Sequence, residues 1–364
     1  MTFLTIIIFI LILGLLVFVH EAGHFIAAKL SKIKVEEFAF GFPPKIWSIK
    51  KGETVYAINA IPIGGYVKML GEAEESQSKR SFSKKSPGIR AAVSVAGVLM
   101  NVILAWLILT IGFAVGMSPL VSSPDSIPGK KLSSSIIVAG IDKNSVAENI
   151  GLQPGDNLIS AISPGEQVTI FNGAVSVTNY TTSHEGRKIE LVYKRDNVEK
   201  LVDATLPVDG SSPLGISMVD NSIVRTAWYF APVVAFREIA RIIGINFTFL
   251  KSFFAQLFTH GQVSKEVGGP VAIYVFTGMA VKAGAMVVLQ FIAILSISLA
   301  LINILPFPAL DGGRLLFIIL EKIFRKKIVN DNIENIIHMV GFALILLFAA
   351  AITYRDVINL IIKK

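Results

Sequence analysis

The chain reads as an α-helical polytopic membrane protein with about four transmembrane helices, a cytoplasmic or re-entrant β-hairpin region and one extracytoplasmic β-rich domain. Three observations predict this. Runs without charge recur at Phe3–Val19, Ala91–Met117 and Ala285–Leu310, and a fourth at Ile336–Tyr354 is broken only by His338; each approaches or exceeds the length that crosses a bilayer. Of 364 residues, 53% are hydrophobic and only 16% charged, and mean hydropathy is +0.65, which excludes an ordinary soluble domain. The polar remainder is segregated into short basic loops and one long connection, Ser118 to Asn221, which holds the acidic part of the chain.

The first helix is read as retained, because it lacks the basic start and small-residue cleavage site of a secretory signal. Its far end carries His20-Glu21-Ala22-Gly23-His24. Positions four apart share a helix face, so His20 and His24 can hold one metal ion while Glu21 stands beside it as a base toward water. Ionisable groups in a span are costly and functional by default, and three arrive here at metal-binding spacing. The chemistry suggested is peptide hydrolysis inside a bilayer. At about 1.5 Å per residue, His20 lies roughly 28 Å from Met1, nearer the cytoplasmic face.

The connection that follows is rich in lysine, with Lys32, Lys34, Lys45, Lys50, Lys51, Lys79, Lys84 and Lys85 beside Arg80, and reads as cytoplasmic. Within it Val55, Ala57, Asn59 and Ile61 alternate with Tyr56, Ile58 and Ala60. Pro62 and Gly64-Gly65 are expected to turn the chain back toward Tyr66 and Val67 as a hairpin. A free edge there could pair with an extended peptide; the alternative is a cytoplasmic hairpin with no catalytic part. In the second span Asn101 needs partners for a buried amide. It could orient substrate, stabilise an oxyanion, or bond a neighbouring helix.

The long connection reads as external, with a compact β-rich domain from about Ser133 to Asp220. Ile136-Ile137-Val138 and Lys188 to Tyr193 look like strands, and Ala147 to Leu152 like a short helix. Gly151-Leu152-Gln153-Pro154-Gly155-Asp156 resembles the bacterial PDZ signature. One such domain fits, serving either to bind peptide or, as favoured, to obstruct access to the active site by size. Ile223 to Phe258, apolar but punctuated by Arg225, Arg237, Glu238, Arg241 and Lys251, reads as an interfacial amphipathic helix or one packed on the bundle.

The third span runs into Asn303-Ile304-Leu305-Pro306-Phe307-Pro308-Ala309-Leu310-Asp311-Gly312-Gly313. Its prolines and glycines must interrupt the helix, and broken backbone at membrane depth suits a cavity that admits water and peptide. A zinc site needs a third protein ligand, and with no cysteine in the chain only His, Asp and Glu remain. Asp311 is the better candidate, being the only acidic residue between Ala283 and Leu320; Glu36 or Glu37 would have to fold back from a loop. Lys322, Arg325, Lys326 and Lys327 place the next loop in the cytoplasm. Lys363 and Lys364 at an external C-terminus oppose that orientation mildly. The net charge of +8 belongs to these loops and implies no nucleic acid. His184 and His260 read as loop residues and His338 as a residue at a helix entrance, solvated or interfacial. Four parts result: 1–117, a first membrane half; 118–222, the external region; 223–270, the interfacial helix and linker; and 271–364, a second membrane half.

His20 to His24, the Gly64-Gly65-Tyr66-Val67-Lys68-Met69 loop, Arg80-Ser81-Phe82 leading to Ala96-Gly97 and Asn101, and Asn303 through Gly313 together resemble the site-2 protease family of intramembrane zinc metalloproteases, bacterial RseP type. The resemblance implies Zn2+ held by His20, His24 and Asp311, with Glu21 as catalytic base. It places Asn303, and with it Asn101, Gly64 and Gly65, at the substrate strand. Ala96-Gly97-Val98 departs from the family's usual Gly-Pro. Implied partners are transmembrane substrates already cut by another protease, such as anti-sigma factors or signal-peptide remnants, in the bacterial cytoplasmic membrane. Two other readings compete. A metal transporter needs ionisable groups in several spans, and Ala91–Met117 has none; an inactive PDZ scaffold has no reason to keep Glu21.

Overall fold

The computed structural model describes residues 3–72, 76–195, 198–208, 213–260, 268–326 and 329–362. Lys327, Lys363, Lys364 and the His260 side chain lie outside the described residues. The chain divides into two compact units, one of Met1–Leu109 with Ile239–Lys364 and one of Thr110–Glu238.

In the first unit, helix α1 (Phe3–Leu30) is apolar throughout. It stops where Lys32 adopts a left-handed φ of 57° and the Ile33 N–H bonds back to Ala28 O at 2.9 Å, a common helix-ending geometry. Strands β1 (Val35–Lys51) and β2 (Thr54–Met69) follow. Their tight turn lies at Gly52, φ +63°, between paired Lys51 and Thr54. Phe40 is partnered by both Ile58 and Gly65. The chain therefore does reverse between residues 58 and 65, but not as a hairpin: the Val35–Phe40 segment of β1 lies between the two arms of β2. Gly64 and Gly65 sit inside β2, Gly64 in a left-handed conformation that favours glycine and Gly65 in a tight but not prohibitive space. A Cβ on Gly64, φ +99°, would meet the Phe42 ring at 2.3 Å, and one on Gly65 would lie 3.3 Å from Glu21 Cγ.

Helix α2 (Pro87–Val115) starts on a proline, which costs no hydrogen bond at that position. It crosses α1 with small residues at the contact: a Cβ on Gly23 would lie 2.4 Å from Ala96 O, the close approach typical of membrane helices. The remaining helices of the chain, after the second unit, are α5 (Ala231–His260), α6 (Pro270–Ala283), α7 (Ala285–Asn303), α8 (Asp311–Phe324) and α9 (Asp331–Ile362). Among the described residues four helical segments are long and apolar enough to cross a membrane: Phe3–Leu30, Pro87–Val115, Ala285–Asn303 and Ile333–Ile358. The third ends at Asn303, seven residues before the expected Leu310, because Pro306 and Pro308 cannot continue it. Ile12 and Leu16 pack on Ile292 with Leu104 and Ile108 around them. A second cluster, Ala28, Ile33, Val35, Met69, Val93 and Ile318 among others, gathers the ends of α1, α2 and α8 on the sheet. Arg90 Nη2 donates to Glu321 Oε1 at 2.5 Å across α2 and α8.

The second unit holds β3 (Lys130–Ser133), β4 (Ile136–Ile141), α3 (Val146–Asn149), β5 (Asn157–Ile162), β6 (Thr169–Ile170), α4 (Ala174–Ser183), β7 (Lys188–Arg195), β8 (Val198–Thr205), β9 (Ile216–Asp220) and β10 (Ile223–Arg225). Its sheet has the order β8-β7-β5-β4-β9, with β6 on β5. Alternation decides the faces: Ile189 and Leu191 are buried while Lys188 and Glu190 are exposed. They pack with Ile136, Val138, Leu158, Phe171 and, from α4, Val177 and Tyr180. The unit is wider than 118–222. Ile223–Arg225, expected in an interfacial helix, is a strand paired with β3, and Val224 exchanges backbone hydrogen bonds with Met117. Glu238, from the first turns of α5, accepts from the Leu120 and Val121 N–H groups at 2.6 and 2.8 Å and from the Ser122 hydroxyl.

Candidate metal centre and active site

His20 and His24 lie one helical turn apart on α1 and are both buried, at 8% exposure. Asp311 begins α8 after a folded connector. A Cβ on Gly312 would lie 2.2 Å from both Ile304 O and Leu305 O, and one on Gly313 2.3 Å from Phe307 O. Two glycines therefore let the first turn of α8 seat directly on the carbonyls of the broken segment. This folding brings Asp311 Oδ2 to 3.0 Å from His20 Nε2 and 3.3 Å from His24 Nε2; the two Nε2 atoms are 3.2 Å apart.

The triangle suits a tetrahedral ion. With ligand bonds of about 2.0–2.1 Å, a tetrahedral Zn2+ separates its ligand atoms by about 3.3 Å. The proton inventory points the same way. His24 Nδ1 donates to Val93 O at 2.8 Å, which leaves Nε2 a bare lone pair. Asn101 lies 3.3 Å from His20 Nδ1, and its Oδ1 is buried without a hydrogen-bond partner. With the amide oriented so that Oδ1 accepts the Nδ1 proton, His20 Nε2 is bare as well. Asp311 Oδ2 is also buried without a hydrogen-bond donor. Three lone-pair donors thus face one point, an arrangement that a cation satisfies. Among the described residues this is the one His/Asp/Glu group with such spacing. Neither Glu36 nor Glu37 belongs to it; Glu37 pairs with Lys45 at 2.7 Å.

A cavity of about 380 Å³ opens on this point, lined by Glu21, Gly64, Gly65, Tyr66, Val67, Asn303 and Arg314, among others. Glu21, Asn303, Gly64 and Gly65 are therefore brought to one site with the metal triangle. Asn101 is not. It is fully buried behind α1, its side chain on the His20 ring and its carbonyl accepting from Ser296 Oγ at 2.8 Å. Its amide lies on the His20 ring from α2, and Asn101 is not among the residues that line the cavity.

Glu72, Arg314 and the place of His338 at the cavity escaped sequence reasoning, and Gly97, matched there only by resemblance, proves to touch the histidines. Gly97 holds α2 against the imidazoles, where a Cβ would be 2.4 Å from His24 Nε2. Arg314, one turn after Asp311, ion-pairs with Glu72 on the cavity wall. His338 also lines the cavity, and its Nδ1 accepts the Ala309 N–H at 2.8 Å, so α9 packs its partly exposed ring on the connector. An ionisable residue inside an apolar run was the available signal. His184 lies in the turn after α4, as expected, but is buried and not solvated. It caps α4 and reaches Glu166 Oε2 at 2.7 Å.

The profile of peptidase family M50 matches residues 8–348. The chain belongs to peptidase family M50, the site-2 protease family. Relatives agree over their whole lengths. A protein of Clostridium acetobutylicum is 35% identical over 368 residues, 98% of each chain. Zinc metalloprotease RasP of Shouchella clausii is 30% identical over 98% of this chain and 99% of its own, and RasP of Bacillus licheniformis 31% identical over 97% and 98%. A solved structure of the PDZ domain of an SdrC-like protein from Listeria monocytogenes aligns with 25% of this chain at 20% identity and a TM-score of 0.21. As an M50 member the chain is a membrane metalloendopeptidase of the site-2 type.

Proposed function

We propose that the protein is an intramembrane zinc endopeptidase that cuts within membrane-spanning segments of single-span proteins. The observation that carries this reading is the triangle of His20 Nε2, His24 Nε2 and Asp311 Oδ2, buried among spanning helices and open to a cavity that Glu21 lines. His20, His24 and Asp311 are the Zn2+ ligands. When bound, Zn2+ supplies Lewis acidity that makes water nucleophilic near neutral pH and polarises a carbonyl. Glu21 is the general base: it takes a proton from the attacking water and returns it to the leaving amide nitrogen.

A helical substrate hides its carbonyls in its own hydrogen bonds, so it must unwind before attack. The Gly64–Val67 stretch of β2 lines the same cavity and pairs with β1 on one side, which leaves an edge for an unwound segment to join by strand addition. Asn303, the last residue of α7, holds that segment from the opposite end of the connector. The basic loops favour a cytoplasmic sheet, and in this reading the second unit is an external PDZ domain. There the domain admits substrates already shortened by another protease.

Purified protein in detergent, tested for bound zinc and for cleavage of a tagged single-span substrate, decides the matter. Glu21→Gln is expected to retain zinc and lose cleavage. Equal turnover by parent and variant would remove Glu21 from the mechanism.

A further inference from the structure

Asp311 is the one ligand that does not sit in the interior of a regular helix. It follows a seven-residue connector, 304–310, whose backbone is irregular and whose Ala309 adopts a left-handed φ of +76°. That conformation disfavours any residue with a Cβ and persists only where the surroundings hold it. The connector's own hydrogen bonds account for Phe307, Leu310 and Gly313 N–H groups. The Ala309 N–H is held from outside, by His338 Nδ1 at 2.8 Å.

One turn further along α9, Gly341 meets the neighbouring residue. A Cβ there would lie 2.4 Å from Pro308 Cβ and 2.6 Å from Pro308 O. Positions three apart share a helix face, so the last span presents a paired device to the connector: a ring nitrogen that fixes Ala309 and a bare backbone that lets Pro308 close against the helix. The acceptor role also fixes the ring's tautomer. Nδ1 carries no proton while it accepts one, so the neutral ring is protonated at Nε2, and that nitrogen is buried without a hydrogen-bond partner. Glu334 Oε1 stands 4.0 Å from Nε2, beyond hydrogen-bond reach, so the ring's hydrogen bond is the one that Nδ1 makes to Ala309.

We infer that His338, with Gly341, is a positioning element of the metal centre: the fourth span clamps Pro308-Ala309 and thereby sets Asp311 against His20 and His24. The inference rests on the zinc reading of that triangle. Hydrogen-bonded groups behind a ligand change metal affinity by about 10–100-fold, and a clamp two residues from the ligand belongs at the low end of that range.

The test measures zinc affinity of the full-length protein in detergent by competition with a chromogenic chelator, alongside kcat and KM on a tagged single-span substrate. His338→Ala is expected to weaken zinc binding about 10-fold and to regain most of its kcat at saturating zinc, with KM little changed. His338→Asn, whose Oδ1 stands close to the position of Nδ1, should recover most of the affinity. His338→Gln, whose amide reaches toward the Nε2 position, should not. Gly341→Ala should weaken zinc binding through the Pro308 clash without touching the ring. His338→Ala with parental zinc affinity, or an Asn variant no better than the Ala variant, would overturn the inference while leaving the metal centre intact. Loss of kcat that saturating zinc does not restore would also overturn it, because the ring would then act on substrate. Should the parent bind no zinc, or Asp311→Ala bind it equally well, the metal reading itself falls.

Discussion

Asp156 in the second unit and Asp311 in the first are both carboxylates withdrawn from water, and they are treated in opposite ways. Asp156 is 1% exposed, takes both the Nε and an Nη of Arg195 at 2.7 Å and accepts the Gln153 N–H at 2.8 Å. Every charge there is matched by a donor inside the fold. Asp311 Oδ2 has no hydrogen-bond donor and faces two imidazole nitrogens whose protons are committed elsewhere. A buried carboxylate with its partners complete is architecture, whereas one that faces lone pairs has the chemistry of a cation site. Asp156 is 1% exposed and the Asp311 side chain 22%, yet the identity of the neighbours, more than the degree of burial, decides which is which.

The contrast can be broken most sharply at Asp311. Asp311→Asn removes a charged ligand that helps the metal act on the scissile carbonyl, an effect of several kcal/mol, so cleavage should fall by about 1,000-fold or more in a single-turnover assay. Thermal unfolding of the second unit should be unchanged. Next comes Gly97→Ala, which alters no ligand but would place a Cβ 2.4 Å from His24 Nε2. It should lower zinc content, measured by elemental analysis, because the imidazole must move.

At the opposite pole, Asp156→Ala leaves Arg195 without its buried partner and should destabilise the second unit by about 3 kcal/mol, read from denaturant unfolding. Zinc stoichiometry should hold at the parental value. The same pair gives a pH signature. Burial pushes the Asp156 carboxyl up, but the Arg195 guanidinium and the Gln153 N–H pull it down further, so its pKa ends below the ordinary carboxylate value. A depressed folded pKa contributes stability in full above the unfolded value of about 3.9 and loses it as pH falls through the folded one. Unfolding midpoints of the second unit should therefore be flat from pH 7 to about 5 and drop below pH 4, and Asp156→Asn should flatten that drop.

The smallest effect is expected at Glu53. Arg80 and Lys29 hold its carboxyl down to about 2, through contacts of 2.6 and 2.9 Å, but the Arg80 side chain is 49% exposed and such pairs are weak. Glu53→Gln should leave the melting temperature within error. A large shift would mean that ion pairing, and not the completeness of burial, separates structural from functional carboxylates here.

Much of the site was legible because its first half is local. His20, Glu21 and His24 are tied by helix geometry, so their shared face follows from spacing alone. Asp311 was legible for a different reason, as a lone charge after an apolar run broken by proline. Gly64 and Gly65 were read as a hairpin turn, but they lie inside β2, where Gly64 takes a positive φ of +99° and Gly65 runs 3.3 Å from Glu21 Cγ at its Cβ position. Asn101 was singled out as an amide needing partners, with substrate, oxyanion and helix-bonding roles left open, because nothing in a linear pattern says which side of α1 the second span covers. His338 was set aside as a helix-entrance residue; its role depends on α9 lying against 308–309, a contact thirty residues away in the chain.

The amino-acid sequence by itself determined the four apolar spans, the metal-ligating face of α1, the break after Asn303 and the separate β-rich unit, since each follows from local hydropathy, periodicity or backbone constraint. Only the tertiary structure decided that Gly97 admits α2 to the imidazoles, that Asn101 lies against the His20 ring, and that His338 and Gly341 meet the connector of Asp311. Those depend on which surfaces meet. Close packing between distant segments leaves its trace as a missing Cβ or an unclaimed proton, which acquires meaning once the partner is in place.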